Sequence, residues 1–132
     1  LALELDPSEP HAVCDSTLLR QALLNLVRNA VDAVGPGDGR VTLGTRAGED
    51  GDDAWVEFEV RDNGRGIEAE HRARIFEPFF TTKKDGTGLG LALVQRAAEE
   101  HSGSVTCESI PGAGTAFRLR LPSTPGEAEP LS

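Results

Sequence analysis

Apolar residues alternate with polar ones at the start of the chain and then change to a helical spacing. The alternation over residues 1–5 predicts a strand. After a good N-cap residue, Asp15 or Ser16, apolar side chains recur every three or four positions as far as the GPG breaker at 35–37, which predicts a helix. The apolar positions of this helix are Leu19, Ala22, Leu23, Leu26, Ala30, Ala33 and Val34.

The rest of the chain predicts four more strands and a second helix. The acidic, Gly-containing stretch 48–53 is expected to connect the first two of these strands as a hairpin. Residues 64–86 lack a regular period apart from a possible short helix at 68–74. A segment of this kind inside a small domain is usually functional or mobile. The predicted strands span 41–46, 54–61, 104–108 and 115–121, and the second helix spans 89–101.

This order of elements indicates an α/β (α+β) two-layer sandwich, with a mixed, mostly antiparallel sheet and helices packed on one face. A chain of 132 residues is the size of one domain. We expect the domain to occupy residues 1–122 and the Pro-, Glu- and Ser-rich residues 123–132 to form a disordered tail. The sequence contains no Met, so we expect it to be an excised segment whose partner domain lies upstream.

Acidic residues outnumber basic ones by 22 to 13, which gives a formal net charge of −9. This balance argues against a nucleic-acid partner, although a small anionic ligand needs only a few local donors. No apolar run approaches the ~20 residues that span a bilayer, so we expect no membrane contact by this domain. Cys14 and Cys107 form no CxxC pair and are expected to be reduced core residues, as in a cytoplasmic protein.

The first predicted helix carries a polar stripe beside its apolar one. Asn25 and Asn29 lie one turn apart and share a face with Gln21, Arg28 and Asp32. A solvated helix face accounts for this stripe. The alternative is that the carbonyl oxygen of Asn29 ligates Mg²⁺, an ion that takes one or two protein oxygens and completes its shell with phosphate and water.

The strand that ends near residue 61 leads into the sequence DNGRG. Asp62 has the same parity as Val56 and Val60 and should therefore point into the core. A buried carboxylate needs donors. It either caps the following turn or accepts a hydrogen bond from the amine of adenine, and Gly64 and Gly66 would then let the backbone approach the base.

The sequence GTGLGL at 86–91 runs directly into the second predicted helix. Glycine-rich turns at a helix N-terminus present N–H groups to phosphate. The position late in the chain does not fit a Rossmann motif, and no GK[ST] of a P-loop follows, so a purely structural loop is also open. Lys83 and Lys84 precede this turn and could neutralise phosphate charge or be plain solvated residues.

The last predicted strand places Thr115 on the core side with Phe117, Leu119 and Leu121. A buried hydroxyl needs a hydrogen-bond partner. We therefore expect Thr115 to reach toward Asp62.

Five segments, in this order, resemble the N box, first glycine box, F box, second glycine box and closing glycine motif of the sensor histidine kinases. These kinases belong to the GHKL superfamily, which has the Bergerat nucleotide-binding fold. The resemblance covers about residues 1–122. The segments are 21–33 (QALLNLVRNAVDA), 62–67 (DNGRGI), 75–83 (IFEPFFTTK), 86–91 (GTGLGL) and 112–117 (GAGTAF).

The resemblance implies a role for each matching residue. Asn29 would coordinate the Mg²⁺ that bridges the phosphates of ATP, and Asn25, Asn29 and Lys83 would serve catalysis. Residues 67–87 would form a lid over the nucleotide, with Phe76, Phe79 and Phe80 anchoring it or docking it on partner helices. Ordinary core packing is the alternative for these aromatic residues. The residues implied at the cofactor are Asn29, Asp62, Gly64, Gly66, Ile67, Phe76, Thr87, Gly88, Leu89, Gly90, Leu91 and Thr115.

Two positions depart from parts of the superfamily. Asn25 stands where the gyrase-type and chaperone-type ATPases carry a water-activating Glu, and Asn is a poor base, which favours a phosphotransferase over a hydrolase. Asp32 stands where many histidine kinases carry Lys or Arg, which resembles the nitrogen-regulation branch. Arg28, Lys83 and Lys84 are the candidate contacts for the terminal phosphate, with Arg72 and Arg74 as weaker ones.

The implied activity is transfer of the γ-phosphate of ATP to a histidine on a separate dimerisation domain, for relay to an aspartate of a response regulator. A Ser/Thr-directed kinase of the same superfamily and a non-catalytic nucleotide-binding module are the alternatives. His11, His71 and His101 do not lie in an HE-type motif, so this chain alone is not expected to autophosphorylate.

Overall fold

The computed structural model describes residues 2–4, 16–51, 53–81 and 90–123. The predicted elements are all present, with some changes in length. The strands are β1 (Ala2–Glu4), β2 (Val41–Asp50), β3 (Asp53–Asp62), β4 (Ser104–Ile110) and β5 (Gly114–Ser123), and the helices are α1 (Ser16–Val34), α2 (Ala69–Arg72) and α3 (Gly90–Glu100).

The strands form one sheet in the order β1-β2-β3-β5-β4. Among the strands that the structure describes, β1 and β2 alone are a parallel pair, and α1 lies between these two strands in the chain. Parallel neighbours need a long crossover of this kind, whereas the other pairs are antiparallel. The prediction of a mixed, mostly antiparallel sheet is confirmed.

The core lies between α1, α3 and one face of the sheet. Both helices contribute small residues to this core, such as Ala22 and Ala97, and both are fully buried. From the sheet, Val60 and Phe117 are paired in register and contribute the same buried face. The predicted apolar stripe of α1 therefore lies against the strands, as its period indicates.

The opposite face of the sheet is covered by ion pairs. Glu57 has a side chain that is only 3% exposed, and it binds Arg46 at 2.8 Å and Arg120 at 2.9 Å. The guanidinium of Arg120 also lies 3.8 Å from the ring centre of Trp55. Charged residues thus close this face where helices close the other.

The connection predicted at 48–53 is wrong, because β2 and β3 continue until Asp50 pairs with Asp53. The reason is a contact across the hairpin. Gly48 lies opposite Trp55 in register, and a Cβ at Gly48 would overlap the indole ring, so the missing side chain makes room for the tryptophan. Cross-strand packing of this kind extends a hairpin that local preference would end.

β5 runs as far as Ser123, which is one residue into the predicted tail. The remaining boundaries of the domain and tail stay predictions. The predictions made for Asp15, Cys14 and His11 concern residues outside the described ranges. The same holds for the site residues Lys83, Lys84, Thr87, Gly88 and Leu89. Across the described ranges, none of the helices has the length and apolar character needed to cross a bilayer.

Candidate functional site

A row of three buried polar residues crosses one end of the sheet. Asp62 on β3 pairs in register with Thr115 on β5, and Thr115 pairs with Ser109 on β4. Their exposed fractions are 6%, 5% and 7%. Cross-strand partners share a face, so all three side chains point to the helix side of the sheet. The inward orientation predicted for Asp62 and Thr115 is confirmed.

The Asp62 carboxylate accepts two backbone hydrogen bonds. The N–H of Gly64 donates to Oδ1 at 2.8 Å, and the N–H of Thr115 also donates to the carboxylate. Burial nevertheless raises the pKa of Asp62 above its ordinary value, because these bonds and the charge of Arg65 offset only part of the desolvation. A carboxylate held inward at such a cost is typical of a functional site.

The hydroxyl of Thr115 does not need Asp62 as its partner. Its oxygen lies 2.8 Å from the hydroxyl of Ser109, which also accepts the N–H of Ile67 at 2.7 Å. Sequence reasoning missed Ser109 because the predicted strand ended at residue 108. Its parity with Val105 and Cys107 was the signal that could have found it.

The loop after β3 is fixed on both sides by Arg65. Its N–H donates to the carbonyl of Ala33 at 3.2 Å and its guanidinium donates to the carbonyl of Asp32 at 3.1 Å, both in the last turn of α1. Its own carbonyl accepts the N–H of Gly112 at 2.8 Å in the β4–β5 turn. The loop is therefore clamped between a helix end and a turn.

Two glycines make this clamp possible. A Cβ at Gly64 would overlap the carbonyl of Ala33, and a Cβ at Gly66 would overlap the carbonyl of Ile110. Gly66 also has a φ of +72°, which disfavours other residues. The sequence interpretation gave these glycines only a role in approach to a base, but the protein's own backbone already requires them.

The polar stripe of α1 meets the start of α3. Asn25 and Asn29 are half-buried, whereas Gln21 and Arg28 are exposed. A Cβ on Gly90, the first residue of α3, would lie 3.3 Å from Oδ1 of Asn25. The first-turn N–H groups of α3 therefore lie close to the stripe, and they carry the positive end of the helix dipole.

The described part of the predicted lid packs partly on the core. Ile75 is buried, and Phe76 makes an edge-to-face contact with Phe117 at 6.1 Å between ring centres. Ile67 and Leu91, at the two sides of this segment, are half-buried against the same core. Phe76 therefore acts as a core residue, and the lid and cofactor roles that the resemblance implies for it stay predictions.

The tip of this segment is more open. Phe79 is 75% exposed and has a φ of +68°. Phe80 is half-buried and has the guanidinium of Arg74 at 4.7 Å and the ring of His71 at 5.6 Å from its own ring centre. Of the phenylalanines in the described part of this segment, Phe79 is thus the most exposed to solvent.

The site is elongated along α1. Ala33, at the end of the helix, touches the Asp62 loop, while Asn25, two turns earlier, touches α3. At 1.5 Å per residue these two contacts lie about 12 Å apart. One end offers a carboxylate acceptor and the other offers N–H donors at a helix start, so the site is complementary to a ligand with a donor-bearing head and an anionic tail. A purine nucleotide has this form.

Comparison with known proteins agrees with this class of ligand. The family model for histidine kinase-, DNA gyrase B- and HSP90-like ATPases matches residues 14–125. The chain belongs to this family.

Similar proteins include the sensor histidine kinase ZraS of Klebsiella oxytoca, which is 44% identical over 125 residues. That match covers 92% of this chain and 26% of ZraS. The sensory histidine kinase/phosphatase NtrB of Rhodobacter capsulatus is 41% identical over 133 residues, covering 94% of this chain and 37% of NtrB. The chain thus spans a minor part of the length of both relatives.

Two solved structures have the same fold. The nucleotide-free catalytic domain of histidine kinase ThkA superposes with a TM-score of 0.80 at 34% identity, covering 94% of this chain and 78% of that one. Full-length ShkA in complex with AMPPNP gives a TM-score of 0.79 at 37% identity, covering 98% of this chain and 26% of that one. The predicted sandwich and the resemblance to histidine kinase catalytic domains are confirmed.

Proposed function

We propose that this chain binds Mg²⁺·ATP and presents the γ-phosphate to a histidine on a separate dimerisation domain of the same kinase. An aspartate of a response-regulator receiver domain is the eventual acceptor. The observation that carries this proposal is the inward Asp62 carboxylate, whose loop lies against the end of α1 while the start of α3 lies near Asn25, two turns earlier on the same helix. Relatives that bear the name sensor histidine kinase support the reaction.

The base lies at the Asp62 end. The carboxylate accepts a hydrogen bond from the exocyclic amine of adenine. The two backbone N–H groups do not use all of its lone pairs, so it can accept this further donor. Thr115 lines the same floor from the next strand. Ile67 and Phe76 flank the base from the beginning of the lid, with Gly64 and Gly66 setting the path of the loop.

The phosphates lie at the other end. Gly90 and Leu91 place the first-turn N–H groups of α3 toward them, and a helix start of this kind favours anions. Thr87, Gly88 and Leu89 extend the same glycine-rich turn in the sequence and are proposed to contribute further N–H groups. Lys83 neutralises phosphate charge in this proposal.

Asn29 fits a Mg²⁺ ion that arrives with the nucleotide. Its half-buried amide offers one neutral oxygen, and Mg²⁺ commonly takes one or two protein oxygens and draws the rest of its shell from phosphate and water. When bound, the ion would neutralise charge on the phosphates. Asn25, one turn away, is close to the same group but is a poor base for activating water, so transfer is favoured over hydrolysis.

The chain's contribution to transfer is positioning and charge neutralisation, as phosphoryl transfer generally requires. We propose no contact of this domain with nucleic acid or membrane. A cytoplasmic location and a lid at 67–87 within a domain at 1–122 remain predictions.

The test is transfer from γ-labelled ATP to the separate histidine-bearing helical domain of the parent kinase, mixed with this chain. Label on that domain that is lost in acid but stable in base would be a phosphohistidine and would support the proposal. Asp62→Asn should abolish transfer. Stable label on this chain alone would refute the proposal. Acid-stable label on a hydroxyl would indicate a Ser/Thr kinase, and nucleotide binding without transfer would indicate a non-catalytic module.

A further inference from the structure

Ser109 is the buried end of the polar row that begins at Asp62. Its hydroxyl has three neighbours within hydrogen-bond distance. They are the N–H of Ile67 at 2.7 Å, the carbonyl of Gly114 at 3.1 Å and the hydroxyl of Thr115 at 2.8 Å. Ser109 thus joins the first residue of the predicted lid to the residue beside Asp62.

A hydroxyl has one hydrogen and two lone pairs. Ile67 must donate to Ser109, and Gly114 can only accept. All three contacts are therefore hydrogen bonds in one arrangement alone, in which Ser109 donates to the Gly114 carbonyl and accepts from both Ile67 and Thr115. The hydrogen of Thr115 is then used within the protein, and its oxygen keeps only lone pairs for a ligand.

We propose that Ser109 is a positioning residue for base selectivity, which holds Thr115 as an acceptor beside the acceptor Asp62. Two acceptors on one floor suit a purine with a 6-amino group and oppose a purine with a 6-oxo group. This inference rests on the proposed function, because it requires a purine nucleotide at Asp62.

Removing the Ser109 hydroxyl releases the hydrogen of Thr115. The Thr115 hydroxyl can then rotate and donate to a 6-oxo group, so discrimination falls although Asp62 and Thr115 are both still present. A merely structural role for Ser109 would weaken binding of both kinds of purine nucleotide equally. The ratio of the two affinities therefore separates the two roles.

The experiment is calorimetric titration of ATP and of inosine triphosphate, which carries the 6-oxo group, into the full chain and its variants. In Ser109→Ala the ratio of ATP to inosine triphosphate affinity should fall about fivefold to tenfold, the effect of one hydrogen bond. Ser109→Thr, which keeps the hydroxyl, should retain the ratio. In a Thr115→Val background, Ser109→Ala should change the ratio no further, because Ser109 acts through Thr115.

An unchanged ratio in folded Ser109→Ala would overturn the inference while leaving ATP binding intact. If Ser109→Ala does not fold, Ser109→Cys takes its place, since a thiol is a weak donor and acceptor, and an unchanged ratio there is equally contrary. Wild-type chain that binds neither nucleotide would overturn the proposed function itself, which is a distinguishable result.

Discussion

Replacing Gly66 with alanine tests whether the clamp around the Asp62 loop holds the site in place. Gly66 has a φ of +72°, and a Cβ there would overlap the carbonyl of Ile110 and lie 2.9 Å from Cα of Pro111. Gly112 is a matched control. It has a similar φ of +81°, but nothing lies within 4 Å of the position that its Cβ would take.

The two substitutions share one cost and differ in another. A left-handed backbone costs an alanine about 1–2 kcal/mol at either position. At Gly66 the loop must also retreat from the β4–β5 turn. That movement weakens two hydrogen bonds, from Gly112 N–H to the Arg65 carbonyl at 2.8 Å and from Ile67 N–H to Ser109 at 2.7 Å.

At about 1 kcal/mol for each bond, Gly66→Ala should lower the free energy of unfolding by about 3–4 kcal/mol and Gly112→Ala by about 1–2 kcal/mol. Urea denaturation followed by circular dichroism measures both values. ATP affinity should fall in Gly66→Ala, because the loop that carries Asp62 has moved, and should stay near wild type in Gly112→Ala. Equal losses of stability in the two variants would refute the idea that clearance at Gly66 matters.

Two further predictions follow from the buried ionisable groups. Burial raises the pKa of Asp62 above 3.8, so between that value and the raised one the folded protein binds a proton that the unfolded chain has lost. Stability should therefore decline as pH rises through this window. In Asp62→Asn, urea denaturation across the same pH range should show a flatter decline, and an undiminished decline in that variant would contradict the reasoning. Burial also raises the pKa of the Cys107 thiol from 9.0 to about 11. In a Cys14→Ser background, alkylation of Cys107 at pH 8 should be about tenfold slower in the folded than in the urea-unfolded chain. This ratio allows for the greater nucleophilicity of a more basic thiolate. Equal rates would show that burial does not suppress the thiolate.

The features that the sequence could predict depend on residues close together in the chain. The helical period fixed α1 and its breaker, and strand parity alone oriented Asp62 and Thr115 toward the core. Because side chains in a strand alternate strictly between the two faces, one buried residue determines the direction of all the remaining side chains in that strand. The five motif segments then indicated the sensor histidine kinase family.

The features that the sequence could not predict depend on contacts between distant segments. β2 and β3 are longer than expected because Trp55 packs across Gly48. Gly66 is needed because Ile110, 44 residues later, lies against it. Ser109 can be identified as a site residue only from the antiparallel register of β4 and β5, which places it beside Thr115.

Nucleotide binding at Asp62 is best measured by calorimetric titration of ATP, with and without Mg²⁺, into the wild-type chain and into Asp62→Asn. Glu59→Gln is the matched control, since Glu59 lies on the same strand but binds Arg118 at 2.8 Å on the opposite face. We expect binding by wild type and Glu59→Gln, no binding by a folded Asp62→Asn, and loss of the Mg²⁺ dependence in Asn29→Ala. Undiminished binding by Asp62→Asn would contradict this expectation.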